Sequence, residues 1–303
     1  MLRRSITSVV TIWMVFTLSF FIIRAAPGGP FDEERDPPAE IKKAIEARYN
    51  LDAPLWSQYL DQLQGWLMLD PGPSLRQPDH DVSSILGAGL PISIVLGSLA
   101  LLIGSAVGIM LGLLAALRSG GWIDQLVVAF ASIGISLPLY VIAGMLVLAF
   151  SFGLGWIPPA GWETPRSLIL PVACLALAPA AQAARLIRSS LIEMKAEEFA
   201  RTARAKGRGS FGVLFRHCLR PALIPLVSTL GPTAAALLTG SLVIEQIFAI
   251  PGVGMHFIQG ALNRDYPLVL GAVLLYTVLL QFLTLFADIA LLMLDPRLRE
   301  ESP

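Results

Sequence analysis

Apolar residues along this chain gather in long blocks rather than in the short alternating patches of a soluble fold. The blocks cover about 6–23, 92–117, 126–154, 168–186, 223–244 and 268–294. At a helical rise of ~1.5 Å per residue, each reaches the ~17 or more residues that a spanning helix needs. Two long polar regions interrupt them, 25–90 and 187–222. Within the first, Ile41, Ile45, Tyr49, Trp56, Tyr59, Leu60 and Leu63 recur at helical spacing, which predicts a small subdomain of short helices. Between the last two blocks a Gly/Pro-punctuated amphipathic stretch predicts a short surface helix from Gly254 to Leu262. The expected architecture is an all-α polytopic membrane protein with six transmembrane helices. Residues 1–24 form the first span, 25–90 an external subdomain, and 91–294 a core holding the other five. That core contains the loops 187–222 and 245–267, and 295–303 form a tail. A cleaved leader is the alternative for the first block, but a cut after Ala26 puts Arg24 at the minus-three position and Pro27 just beyond it.

Charge orients these spans. Of 303 residues, 55% are hydrophobic and 15% charged, and the mean hydropathy is +0.68, which excludes an ordinary soluble domain. Net charge is zero, yet it is unevenly spread. Residues 24–90 carry six basic and eleven acidic side chains, whereas Arg185 to Arg220 carry nine Lys/Arg against Glu193, Glu197 and Glu198. With both termini on the side of the central loop, fourteen Lys/Arg lie on that side and eight on the other. The positive-inside rule then places the termini and 187–222 in the cytoplasm, and 25–90 with 245–267 outside.

Much enzymatic chemistry is missing. The four lysines, Lys42, Lys43, Lys195 and Lys206, do not follow the glycine spacing of a phosphate-binding loop. His80, His217 and His256 form no metal-ligand cluster and join no nucleophile at the membrane midplane. Cys174 and Cys218 read as small buried hydrophobes. Asp288 is an acid well inside an apolar block, a functional candidate by default, although pairing near the interface is the simpler reading. Pro138, Pro171, Pro179, Pro225 and Pro232 fall inside or beside spans, and those flanking the central loop are candidate hinges. Gly104, Gly108 and Gly112 suit close helix packing.

The stretch Lys195 to Pro225 is the distinctive one. Glu197 and Glu198 stand where a helix start favours negative charge, Arg204 and Lys206 where its end favours positive, and Gly207 supplies a left-handed stop. Phe199, Ala200, Ala203 and Ala205 are small or apolar and allow that helix to dock. A second short helix is expected from Phe211 to Leu219, ended by Pro221. An ordinary basic loop explains the charge but not two capped helices with a glycine between them.

Glu198-Phe-Ala-Arg-Thr-Ala-Arg-Ala-Lys-Gly207, followed by Arg216-His-Cys-Leu-Arg-Pro-Ala-Leu-Ile-Pro225, resembles the EAA loop of ABC-importer permeases in its peptide-permease form. Arg24-Ala-Ala-Pro-Gly-Gly-Pro30, Tyr49-Asn-Leu-Asp-Ala-Pro54, Gly240 to Phe248, Ile250 to Gly254, Gly260 to Tyr266 and Asp295-Pro-Arg297 are similar to the same family. The run Pro27 to Arg35 looks most like its oligopeptide branch.

The resemblance implies a type I importer (MetI-like) permease fold. It also implies a bacterial inner-membrane location and ATP-driven import of oligopeptides. Glu198, Phe199, Arg201, Thr202, Ala203, Arg204, Ala205, Lys206 and Gly207 would then form the coupling helix seated on an ATPase. Arg201 and Arg204 would make its charged contacts, and Phe199 and Ala203 would fill a groove. Arg216, Arg220, Pro221 and Pro225 would support the loop. Implied partners are a second permease subunit, two cytoplasmic ATPases that hold ATP and Mg, and an extracytoplasmic peptide-binding protein that meets residues 32–85 and 251–265. The chain itself would bind no cofactor, catalyse nothing and meet no nucleic acid. Ser132, Ser136, Thr233 and Thr239 are candidate pathway hydroxyls. The alternatives are a same-family permease for dipeptides, nickel or glutathione, an ion-coupled carrier, or a membrane enzyme.

Overall fold

The computed structural model describes residues 2–26, 52–77 and 79–294. The segments 27–51 and 295–303, and the side chains of Thr239, Gly240 and Asp288, lie outside the described residues, so the expectations placed on them find no counterpart here. The helices are α1 (Leu2–Ala25), α2 (Leu55–Leu67), α3 (Val82–Leu117), α4 (Trp122–Ser136) and α5 (Leu139–Leu146). A π-helical stretch, Val147–Gly153, prolongs α5. Then come α6 (Ile169–Met194), α7 (Glu198–Ala205) and α8, which is Ser210–Val213 continued through a π-turn, Leu214–Cys218, into Leu219–Ala222. The chain closes with α9 (Ile224–Ile247), α10 (Val253–Leu262) and α11 (Tyr266–Leu294). Five of these are long and apolar enough to cross a membrane, and α4 with α5 makes a sixth if the bent pair counts as one span.

Contacts divide the chain into two compact units. The first holds Met1–Ile92 and Pro251–Val278. Phe16, Phe20, Tyr59, Leu270 and Leu274 form one core, in which Thr17 and Tyr59 hydroxyls meet at 2.9 Å. At the end of α1, the Arg24 guanidinium lies 3.6 Å from the Phe20 ring centre and donates to Gln58 and Gln62, so its charge is held by a ring face and two amides. Asp265 is buried just before α11. Its carboxylate accepts from the Ser74 hydroxyl, the Leu75 amide at 3.2 Å and the Leu268 amide at 3.3 Å, while Arg76 Nε donates to the Asn263 carbonyl at 2.8 Å. One carboxylate thus caps a helix and pins the 74–76 turn onto it. Val82, Ile85 and Leu86 pack on Val253, Leu268 and Ala272. This contact draws the first turns of α3 well before the expected start at 92, through Pro91. At 36 residues α3 is ~54 Å long, more than a bilayer core needs.

The second unit holds Ser93–Ile250 and Leu279–Pro303, with α6 at its centre. Without a hydrophobic drive between helices in lipid, close packing must hold them. Gly104, Gly108 and Gly112 lie on Ala176, Ala180, Ala183 and Ala184, and a Cβ at Gly108 would stand 2.4 Å from the Ala180 carbonyl oxygen. The block expected at 126–154 as one span is broken instead. α4 and α5 meet at 110°. Leu137 precedes Pro138, whose ring disfavours helical dihedrals at that position, and Leu137 is extended at φ −81°, ψ 132°. By contrast α6 runs through Pro179 and α9 through Pro232, so the prolines named as hinges sit inside continuous helices. α6 also continues beyond 186 to Met194, because Ile187 and Leu191 are fully buried. Glu245, placed by sequence in the external loop, belongs to the last turn of α9. It is fully buried and accepts a hydrogen bond from Ser93 at 2.8 Å.

Candidate functional site

The charged loop after α6 folds back on the ends of the long helices. Leu113 and Ala116 of α3, Ala183, Ile187 and Leu191 of α6, and Leu226 of α9 form one core with Ala200, Ala203, Val213, Leu214, Cys218 and Ala222 of the loop. α7 is eight residues long and starts after an extended Glu197, with Glu198 in its first turn and Arg204 in its last. Its end is a double-bonded stop: the Gly207 amide donates to Arg204 at 2.9 Å and the Arg208 amide to Ala203 at 3.4 Å, with Gly207 at φ +80°.

Three cations fix this arrangement. Lys195 Nζ donates to the carbonyl of Ala116, in the last turn of α3, where unpaired carbonyls and the helix dipole favour positive charge. Arg204 donates to the carbonyls of Lys195 at 2.6 Å and of Ala200 at 3.3 Å. Burial, then the Arg204 charge, lowers the Lys195 pKa from the usual lysine range. Arg188 on α6 pairs with Asp124 on α4, one contact measuring 2.8 Å, and Asp124 also accepts from the Gly120 amide at 2.8 Å. The turn between α3 and α4, the end of α6 and the charged loop after it are therefore fastened together.

This geometry divides the predicted coupling residues. Phe199, Arg201, Thr202, Ala205 and Lys206 face outward, and Phe199 keeps 43% of its surface exposed. Ala203, expected to fill a groove, is buried in the chain's own core, and Arg204, though exposed, donates to the backbone. Arg216 and Arg220 are exposed on α8, as is Pro225 in the first turn of α9. Pro221 does not end the second helix, which continues to Ala222. A proline ring clashes with the carbonyl four residues back, here His217, and the π-turn Leu214–Cys218 carries that carbonyl. Burial raises the Cys218 thiol pKa, in keeping with an inert packed sulfur.

Of the candidate pathway hydroxyls, Thr233 donates to Gln182 at 3.2 Å and lines a largely apolar cavity of about 270 Å³ with Leu139, Pro179 and Pro232. Ser132 returns its hydroxyl to Val128 at 2.9 Å and borders a separate hollow beside Arg185. Asp124, Lys195 and Glu245 escaped the sequence reading. Their partners are an arginine 64 residues away, a main-chain oxygen and a serine 152 residues away, none adjacent in sequence.

The family model of the binding-protein-dependent transport system inner membrane component matches residues 108–300, a span that contains the whole loop. The chain belongs to this family. It is 40% identical over 299 residues to the dipeptide transport system permease protein DppB of Bacillus subtilis, covering 99% of this chain and 97% of the relative. To the oligopeptide transport system permease protein OppB of Haemophilus influenzae it is also 40% identical, with 98% of each covered, and to that of Escherichia coli 39%. Among solved structures, the inward facing MetNI methionine ABC transporter contains a chain that superposes with a TM-score of 0.57 at 18% identity, over 70% of this chain and 96% of that one. That likeness establishes the MetI-like fold. The chain is thus a multi-pass inner membrane transport subunit and not an enzyme.

Proposed function

We propose that this chain is the permease subunit of an ATP-driven importer that carries oligopeptides from an extracytoplasmic binding protein into the cytoplasm. A second permease subunit and two ATPases complete the transporter, and both termini and the loop 187–222 face the cytoplasm. The observation that carries this reading is the two-sided α7. Its inner face is locked to α3, α6 and α8, while Phe199, Arg201, Thr202, Ala205 and Lys206 are presented outward. Such a helix moves with the spans as one body, which is what a lever needs. The ATPases hold ATP and Mg and close on binding them. α7 follows, and the attached α6 and α9 reorient the pathway. ATP shifts that equilibrium only by its differential affinity for the two states. Names of the relatives at 39–40% identity support peptides as cargo.

The test is copurification in mild detergent, followed by uptake in vesicles. Two ATPases and a second permease should accompany the chain, and loaded binding protein should stimulate hydrolysis. Arg201→Glu should uncouple hydrolysis from uptake with the fold intact. Uptake by the lone subunit without nucleotide, or full coupling in Arg201→Glu, refutes the reading. A panel from dipeptides to longer peptides reads the cargo length.

A further inference from the structure

α8 presents a second outward surface, chemically unlike that of α7. Phe211 and Phe215, one turn apart, stack with ring centres 5.7 Å apart and planes 9° from parallel, and keep 58% and 57% of their surface exposed. Arg216 and Arg220 on the same helix, and Arg208 two residues before it, are exposed. The opposite side of α8 is buried against Leu113, Ile187, Leu191 and Leu226. Those four residues belong to α3, α6 and α9, each long and apolar enough to cross the membrane. α8 therefore lies at the ends of three spanning helices, and one residue separates it from the first turn of α9. α7 by comparison shows a single aromatic, Phe199, among Arg201, Thr202, Ala205 and Lys206.

We infer that α8 is an interfacial membrane anchor. Phe211 and Phe215 enter the acyl region, and Arg208, Arg216 and Arg220 hold anionic headgroups. Two observations select lipid over a protein partner. Exposed aromatics and cations share a helix whose other face packs on the ends of three spanning helices, and after one residue that helix runs on into one of them. An amphipathic helix of this kind buries its apolar face ~5–10 Å into the boundary between headgroups and acyl chains, and each nearby cation gains from an anionic leaflet. The anchor gives α7 a fixed base at the bilayer. It holds whatever cargo is carried.

The test is a spin label at Phe215→Cys in the assembled transporter, reconstituted in vesicles of mixed zwitterionic and anionic phospholipid. A label at Phe211→Cys serves as the second probe if the first variant fails to assemble. Unsubstituted protein gives the background from Cys174 and Cys218, both buried. Molecular oxygen, which concentrates in lipid, should collide with the label, and a water-soluble nickel chelate should not. Purely zwitterionic vesicles should lower the oxygen-to-nickel ratio, and Arg216→Gln with Arg220→Gln should remove that lipid dependence. A label open to the nickel chelate overturns the anchor. So does one shielded from both quenchers, because it would then face the ATPase or the second permease. A ratio indifferent to anionic lipid overturns the headgroup role of the arginines. None of these readouts involves transport, so they stand apart from the cargo assignment.

Discussion

Gly207 isolates the stop of α7 from everything else in the loop. It sits at φ +80°, and a Cβ added there meets nothing within 4 Å. Substitution therefore costs backbone conformation alone, with no steric clash to confuse the reading. For an L residue held in the left-handed region the cost is roughly 1–2 kcal/mol, larger for a β-branched one. That energy falls on the two bonds closing α7, from Gly207 to Arg204 and from Arg208 to Ala203. An opening made easier by that amount is about 5–30-fold more populated. Hydrogen exchange on the assembled transporter should show residues 207 and 208 losing protection by that factor in Gly207→Val. Gly207→Asn should lose less, because asparagine tolerates the left-handed region. Peptide-stimulated hydrolysis should fall in the same order. If Gly207→Val exchanges as slowly as the unsubstituted chain and stays coupled, the left-handed stop does not hold the end of α7.

Further perturbations probe the frame that carries the loop. Gly108→Val places its Cβ 2.4 Å from the Ala180 carbonyl oxygen and 2.5 Å from Ala183 Cβ. It should lower the melting temperature of purified protein by an overpacking cost of ~1–3 kcal/mol or more, whereas Gly87→Ala, with nothing within 4 Å, should not. Leu214→Ala opens a cavity beneath α8 and should cost about 2–5 kcal/mol in denaturant titration. Asp124→Asn leaves Arg188 without its counter-charge. Because Arg188 is 29% exposed, the loss should be about 1–2 kcal/mol, below that of a sealed ion pair, and a double-mutant cycle with Arg188→Gln should recover part of it. Burial lowers the His256 pKa below the usual 6.5, so the unfolded chain takes up its proton first as pH falls. Stability of the first unit should therefore decline on acidification from about 6.5 through the lower folded value, and His256→Phe should flatten that slope.

α7 was legible because its signals are local: Glu198 at the start, Arg204 near the end and Gly207 just beyond occupy fixed places in eight residues. Which of its faces turns outward was not. Small residues lie on both sides, and burial of Ala200 and Ala203 depends on α3 and α6, far away in sequence. The break at Pro138 was hidden for another reason. An apolar block carries no polar periodicity to show a change of direction, and Pro138, Pro179 and Pro232 look alike in it, though only the first marks a sharp bend among the described residues. Glu245 read as loop because the Gly/Pro-rich stretch after it drew the boundary forward. The π-turn in α8 left no signature either, since Leu214 to Cys218 would suit an ordinary α-turn equally well.

Lys195 and Arg204 both grip carbonyl oxygens of the main chain, at Ala116, Lys195 and Ala200. Every amino acid supplies that oxygen, so the acceptor side of the latch is indifferent to mutation, and only two cationic positions are bound to their identity. The outer positions 199, 201, 202, 205 and 206 are not tied into it. The outward face of α7 is therefore free to change in sequence while its mounting stays untouched.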